Sequence, residues 1–153
     1  MKRSNNWLKF LGGTAILCVL GPLSINMSGL MPITLQSLVV VLVPMIFGWR
    51  NGLGAIAAYL ILGAFGLPVF AGFNSGFEVF STASAGFLLG FLPAGFVAGY
   101  FVDKVPVSYG RYFFVFVGAH VVLLLCGVVG MLLLGFSWEQ IWNNVVFLFP
   151  GLM

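Results

Sequence analysis

His120 is the lone ionisable candidate deep within an apolar run, the uncharged stretch 112–138. An imidazole so placed is either a proton relay or ligand contact, or a neutral ring bonded to a neighbouring helix; the second reading needs fewer partners and is preferred. With no acid and no second histidine in any such run, it builds neither a metal site nor an acid–base pair. The remaining polar chemistry belongs to amides and hydroxyls. Thr34, Gln36 and Ser37 gather in one place, and Asn74, Ser75, Ser81, Thr82 and Ser84 in another, among Phe70, Phe73, Phe77, Phe80 and Phe87. Apolar walls carrying a few amides and hydroxyls suit a small, mostly neutral organic molecule. The alternative is that these phenylalanines simply face lipid. Nothing here points to an enzyme, and there is no Walker A pattern, so energy for uphill transport would come from another subunit.

The elements that must position these residues follow from the charges. Of 153 residues, 61% are hydrophobic and 6% charged, against about 25% charged in a soluble domain. That excludes a water-soluble enzyme, and no basic patch supports binding to nucleic acid. An all-α integral membrane protein in contact with lipid is expected, as one transmembrane domain over 1–153. The charge-free runs predict five spans, at 8–23, 33–47, 52–67, 83–102 and 112–136. Between the first two, Pro22, Gly29 and Pro32 mark a loop. If the N-terminus is cytoplasmic, Lys2, Arg3, Lys9, Arg50, Lys104 and Arg111 all fall inside, and the outer loops carry only Glu78 and Glu139, as the positive-inside rule requires. The basic start also resembles a secretory leader, but no clear cleavage site precedes a soluble domain, so it is read as the flank of the first span.

The 21 glycines are patterned. Gly86, Gly90, Ala94 and Ala98 recur every fourth residue, with Gly95–Gly99, Gly54–Ala58 and Cys126–Gly130 at the same spacing. Such stripes let helix backbones approach closely, and packing within the chain is preferred to a partner interface for most of them. Thr14 and Cys18 form the nearest such pair in the first span, which is assigned to a partner subunit. Cys18 and Cys126 are expected to be free thiols.

Two segments carry a family resemblance. One is Met31-Pro-Ile-Thr-Leu-Gln-Ser-Leu38; the other is Tyr59-Leu-Ile-Leu-Gly-Ala-Phe-Gly-Leu-Pro-Val-Phe-Ala-Gly72, continued by Gly86-Phe-Leu-Leu-Gly-Phe91. In order and spacing they resemble the BioY family, the biotin-specific substrate-binding (S) components of energy-coupling-factor transporters, over roughly residues 8 to 135. The combination is specific, whereas the first segment alone is weak.

The resemblance implies a six-helix S component in the bacterial cytoplasmic membrane. It would capture biotin from outside and dock on a transmembrane coupling (T) subunit with two ABC-type ATPase subunits, using no cofactor. It implies ligand-binding residues among Thr34, Gln36, Phe70, Gly72, Asn74, Ser84, Gly86 and Phe87. Four departures stand out, the first being Glu78 where the family commonly has a small or apolar residue. Ser84 takes the place of a family threonine, and Phe87 that of a tyrosine. Leu152 follows Pro150-Gly151 where the family has an acid. The segment 137–153 is therefore expected to be an outer stretch leading to an absent or truncated last helix. Two other readings stay open: an S component for another vitamin or small metabolite, and a membrane scaffold.

Overall fold

A computed structural model describes residues 2–25, 33–104, 106 and 108–146. Met31 and Pro32 of the first motif, and the segment 147–153, lie outside the described residues. The chain forms α1 (Lys2–Leu20), a two-residue strand β1 (Ser24–Ile25), β2 (Ile33–Thr34), α2 (Leu35–Phe47), α3 (Trp49–Ala64), two short 3-10 turns (Ala71–Phe73 and Phe77–Ser81), α4 (Ala85–Lys104), α5 (Tyr109–Leu133) and α6 (Trp138–Val146). The two strands pair antiparallel, Ser24 with Thr34 and Ile25 with Ile33.

Five helices lie within a few residues of the five expected spans. α4 and α5 are long and apolar enough to cross a membrane, and Asn6–Leu20 and Leu35–Phe47 are apolar but shorter. α1 begins earlier than expected, at Lys2, and takes in the basic residues of the N-terminal flank. α3 stops at a glycine in the left-handed region: Gly66 has φ 103°, its N–H donates to Gly63 O, and Leu67 N–H donates to Leu62 O. This is a Schellman stop followed by Pro68, which cannot continue a helix. Gly135 ends α5 in the same way.

Within the segment 137–153, α6 occupies nine residues. Ser137 and Gln140 form a reciprocal cap: Ser137 N–H donates to Gln140 Oε1 at 2.9 Å, and Gln140 N–H to Ser137 Oγ at 3.3 Å. Two otherwise orphaned amides are thereby satisfied at the start of a helix. Ile141 is buried, while Trp138 and Trp142 are exposed.

α1 packs on α2 and α3, and α4 packs on α2, α3 and, most extensively, α5. The main core joins Leu17, Val40, Val43, Ile56, Tyr59, Phe70, Leu88, Phe91 and Ala94. Leu8, Leu11, Ile46, Ile61, Phe114 and Leu125 point outward, as lipid-facing side chains do. The glycine stripe of α4 is spent within the chain. A side chain on Gly86 would strike Cys126 O at 2.6 Å, one on Gly90 would strike Cys126 Cβ at 2.6 Å, and one on Gly130 would meet the Gly86 backbone. Gly95 and Gly99 face the other way, against Ile56 and Trp49. At that end of the bundle Arg50 lies over the Trp49 ring and Lys104 over Tyr100.

The seam gives a direct test. Gly130→Val should destabilise the detergent-solubilised protein by about 1–3 kcal/mol, the usual range for overpacking. Gly118→Ala, where an added Cβ meets nothing, should be neutral or slightly stabilising, because alanine is the better helix former. Unfolding curves of the two variants against the parent check this.

Candidate functional site

At the end of the bundle away from Arg50, the chain leaves α3 and folds back over it. Val69 and Phe70 are buried there. The Phe70 ring sits directly on Gly63, where no Cβ would fit. It meets Tyr59 edge-on at 5.6 Å and Phe80 at 6.0 Å. The Tyr59 hydroxyl donates to Val69 O at 2.8 Å. Gln36, 4% exposed at the start of α2, accepts the Ala71 N–H on Oε1 at 3.2 Å. Gly72 N–H donates to Pro22 O, and Gly76 N–H to Gly63 O.

Between these anchors the backbone turns sharply. Gly72 and Phe73 both have positive φ, 69° and 61°, which costs little at glycine and more at phenylalanine. The turn presents Asn74. Its Nδ2 donates to Ala71 O at 2.8 Å, and its own carbonyl accepts the Phe70 N–H at 3.1 Å. Asn74 is exposed, so Oδ1 remains as an acceptor at the surface.

The residues singled out from the sequence thus divide. Gln36, Phe70, Gly72 and Asn74 come together in one hydrogen-bonded and packed unit. Thr34 lies in β2 just before α2; its side chain is outside the described residues. Ser84 is half-buried before α4, its N–H donating to Thr82 Oγ1 at 3.3 Å and its carbonyl accepting Leu88 N–H at 3.0 Å. Gly86 lies in the seam under α5. Phe87 presses on Gly127 and, with Ser37, Phe116, Val121 and His120, lines a cleft of about 340 Å³ between α2, α4 and α5. Thr14 and Cys18 are half-buried. Thr14 Oγ1 donates to Phe10 O of its own helix, and Cys18 packs on the main core, while Leu8, Leu11 and Val19 form the exposed face of α1.

His120 bonds its own helix, not a neighbouring one as expected: Nδ1 lies 3.0 Å from Phe116 O. A carbonyl only accepts, so this contact puts the proton on Nδ1. Cys18 and Cys126 are free thiols, and no cluster of three or more metal-binding side chains occurs among the described residues. Tyr59 does not stand out in the sequence as a polar anchor. The signal for it was weak: a lone hydroxyl in an apolar run must find a partner when buried, but that partner is a backbone carbonyl.

The fold is shared with a solved S-component. The chain superposes on the crystal structure of the S-component for biotin from an ECF-type ABC transporter with a TM-score of 0.81 at 23% identity, covering 98% of this chain and 84% of that one. The BioY family profile matches residues 2–152, and the chain belongs to the BioY family. Among relatives, the biotin transporter BioY2 of Lactococcus lactis subsp. cremoris is 37% identical over 131 residues, 86% of this chain and 70% of that protein. The biotin transporter BioY of Rhodobacter capsulatus is 42% identical over 105 residues, 65% of this chain and 54% of the relative. The probable biotin transporter BioY of Pyrococcus horikoshii is 33% identical over 125 residues, 82% of this chain and 74% of that protein. The chain therefore spans between about half and three quarters of these relatives' length. It is a membrane protein of a transporter family, not an enzyme.

Phe70 gives a prediction that needs no ligand. It is 1% exposed, so Phe70→Ala should cost about 3–5 kcal/mol of stability, as for other buried phenylalanines. Detergent unfolding with intrinsic fluorescence would measure the loss.

Proposed function

We propose that this chain is a biotin-binding S component that takes biotin from the outer side of the bacterial cytoplasmic membrane. It would pass the vitamin on through a complex with a transmembrane coupling subunit and two ATPase subunits. The observation that carries this reading is the family match over residues 2–152. The site chemistry agrees with it. Biotin offers a ureido ring with N–H donors and a carbonyl, on an apolar bicycle. The exposed Asn74 Oδ1 is an acceptor for a ureido N–H. Thr34, Gly72 and Ser84, with Phe87 beyond them, complete the proposed contact set. Gln36, Phe70 and Gly86 back it from within the protein.

In this reading α1 to α5 all span the membrane and 1–153 forms one transmembrane domain. The end carrying Lys9, Arg50, Lys104 and Arg111 faces the cytoplasm, and Asn74 faces out. The segregation of basic residues supports that orientation. α1, with Thr14 and Cys18 on its flank, is the proposed face for the coupling subunit.

Equilibrium binding of radiolabelled biotin to the purified chain in nanodiscs tests the function. Saturable binding at or below the micromolar range is expected. Asn74→Ala should weaken it by about tenfold, the value of one well-made hydrogen bond. Absence of binding in that range would reject a biotin receptor, and thermal stabilisation by a different vitamin alone would reassign the ligand.

A further inference from the structure

We infer that Tyr59 and Gln36 are positioning residues, a buried polar latch that fixes the segment 69–76 and so sets where Asn74 stands. The inference rests on the biotin reading for what Asn74 does, but not for how Asn74 is held. Tyr59 is fully buried and Gln36 nearly so. They grip the backbone on either side of Phe70, one at the Val69 carbonyl and the other at the Ala71 N–H. Phe70 cannot slide, because its ring fills the place of a side chain on Gly63 and lies edge-on to Tyr59. Val69, Phe70 and Ala71 are thus held from two helices, α2 and α3.

Asn74 is tied to two of those three residues. Its Nδ2 bonds Ala71 O, and Phe70 N–H bonds its carbonyl. Any shift of Phe70 or Ala71 moves the amide that a ligand would meet. The orientation of the Gln36 amide follows from the same geometry. Only Oε1 can accept an N–H, so Nε2 points elsewhere, and it is buried without a partner among the described residues. Its Oε1 is committed to the Ala71 N–H, so through that oxygen Gln36 acts on Ala71.

The test uses the full chain with Cys18→Ala and Cys126→Ala, and a Ser75→Cys reporter beside Asn74. Two quantities are read: the labelling rate of the reporter by a membrane-impermeant maleimide without biotin, and biotin Kd with site number. Tyr59→Phe removes only the hydroxyl, and Gln36→Leu only the amide. Each should raise the labelling rate and the Kd by about three- to tenfold, the worth of one internal hydrogen bond, at unchanged site number. A merely structural role would reduce the number of sites and leave the Kd of the remainder unchanged, which would overturn the inference. Unchanged labelling and Kd in Tyr59→Phe would also overturn it. Faster labelling in both variants, with no biotin bound even by the parent, would uphold the latch and reject the biotin reading.

Discussion

Backbone polar groups that leave a helix near a bilayer must still find partners, because hydrocarbon supplies none. Residues 69–76 are where this chain meets that requirement. Its partners come from the helices themselves: a tyrosine hydroxyl of α3, a glutamine oxygen of α2, the carbonyl of Gly63, and Pro22 after α1. One segment therefore fastens three helix ends together while holding an asparagine toward the surface. In a chain with nine charges, nearly all fine positioning has to come from neutral hydrogen bonds and close packing of this kind.

Small residues make that packing possible. Gly63 leaves room for Phe70, and a side chain on Gly21 would strike the Tyr59 hydroxyl at 2.7 Å. Gly86 and Gly130 bring α4 and α5 into backbone contact at the same end of the bundle. The glycines and the polar anchors are parts of one arrangement. The first set the spacing between helices, and the second fasten the loop across it.

Much of the fold was legible because charges are so rare. Lys104 and Arg111 bracket the turn between α4 and α5, and Arg50 marks the corner before α3, so those helices fell close to expectation. α6 was passed over because Glu139, Gln140, Asn143 and Asn144 make it polar. Yet Trp138, Ile141, Trp142 and Val145 fall at helical spacing, and Ser137 with Gln140 is a capping box. The hydrogen-bonded unit around 69–76 was half legible. Asn74 and Gln36 stood out as amides among apolar residues. Their hydrogen-bond partners did not, because those depend on which backbone atoms they reach. Gly86 was legible as a member of the small-residue stripe, but not which helix it meets, because that depends on how α5 lies against α4.

Residues 69–76 are anchored to the helices without any ligand. Amide hydrogen exchange of this segment, measured in nanodiscs without biotin, tests this anchoring most directly. The amides of Phe70, Ala71, Gly72 and Gly76 should exchange at rates close to those of the adjoining turns of α3 and α4, since each is bonded to protein. Exchange at the rate of an unstructured peptide would contradict it.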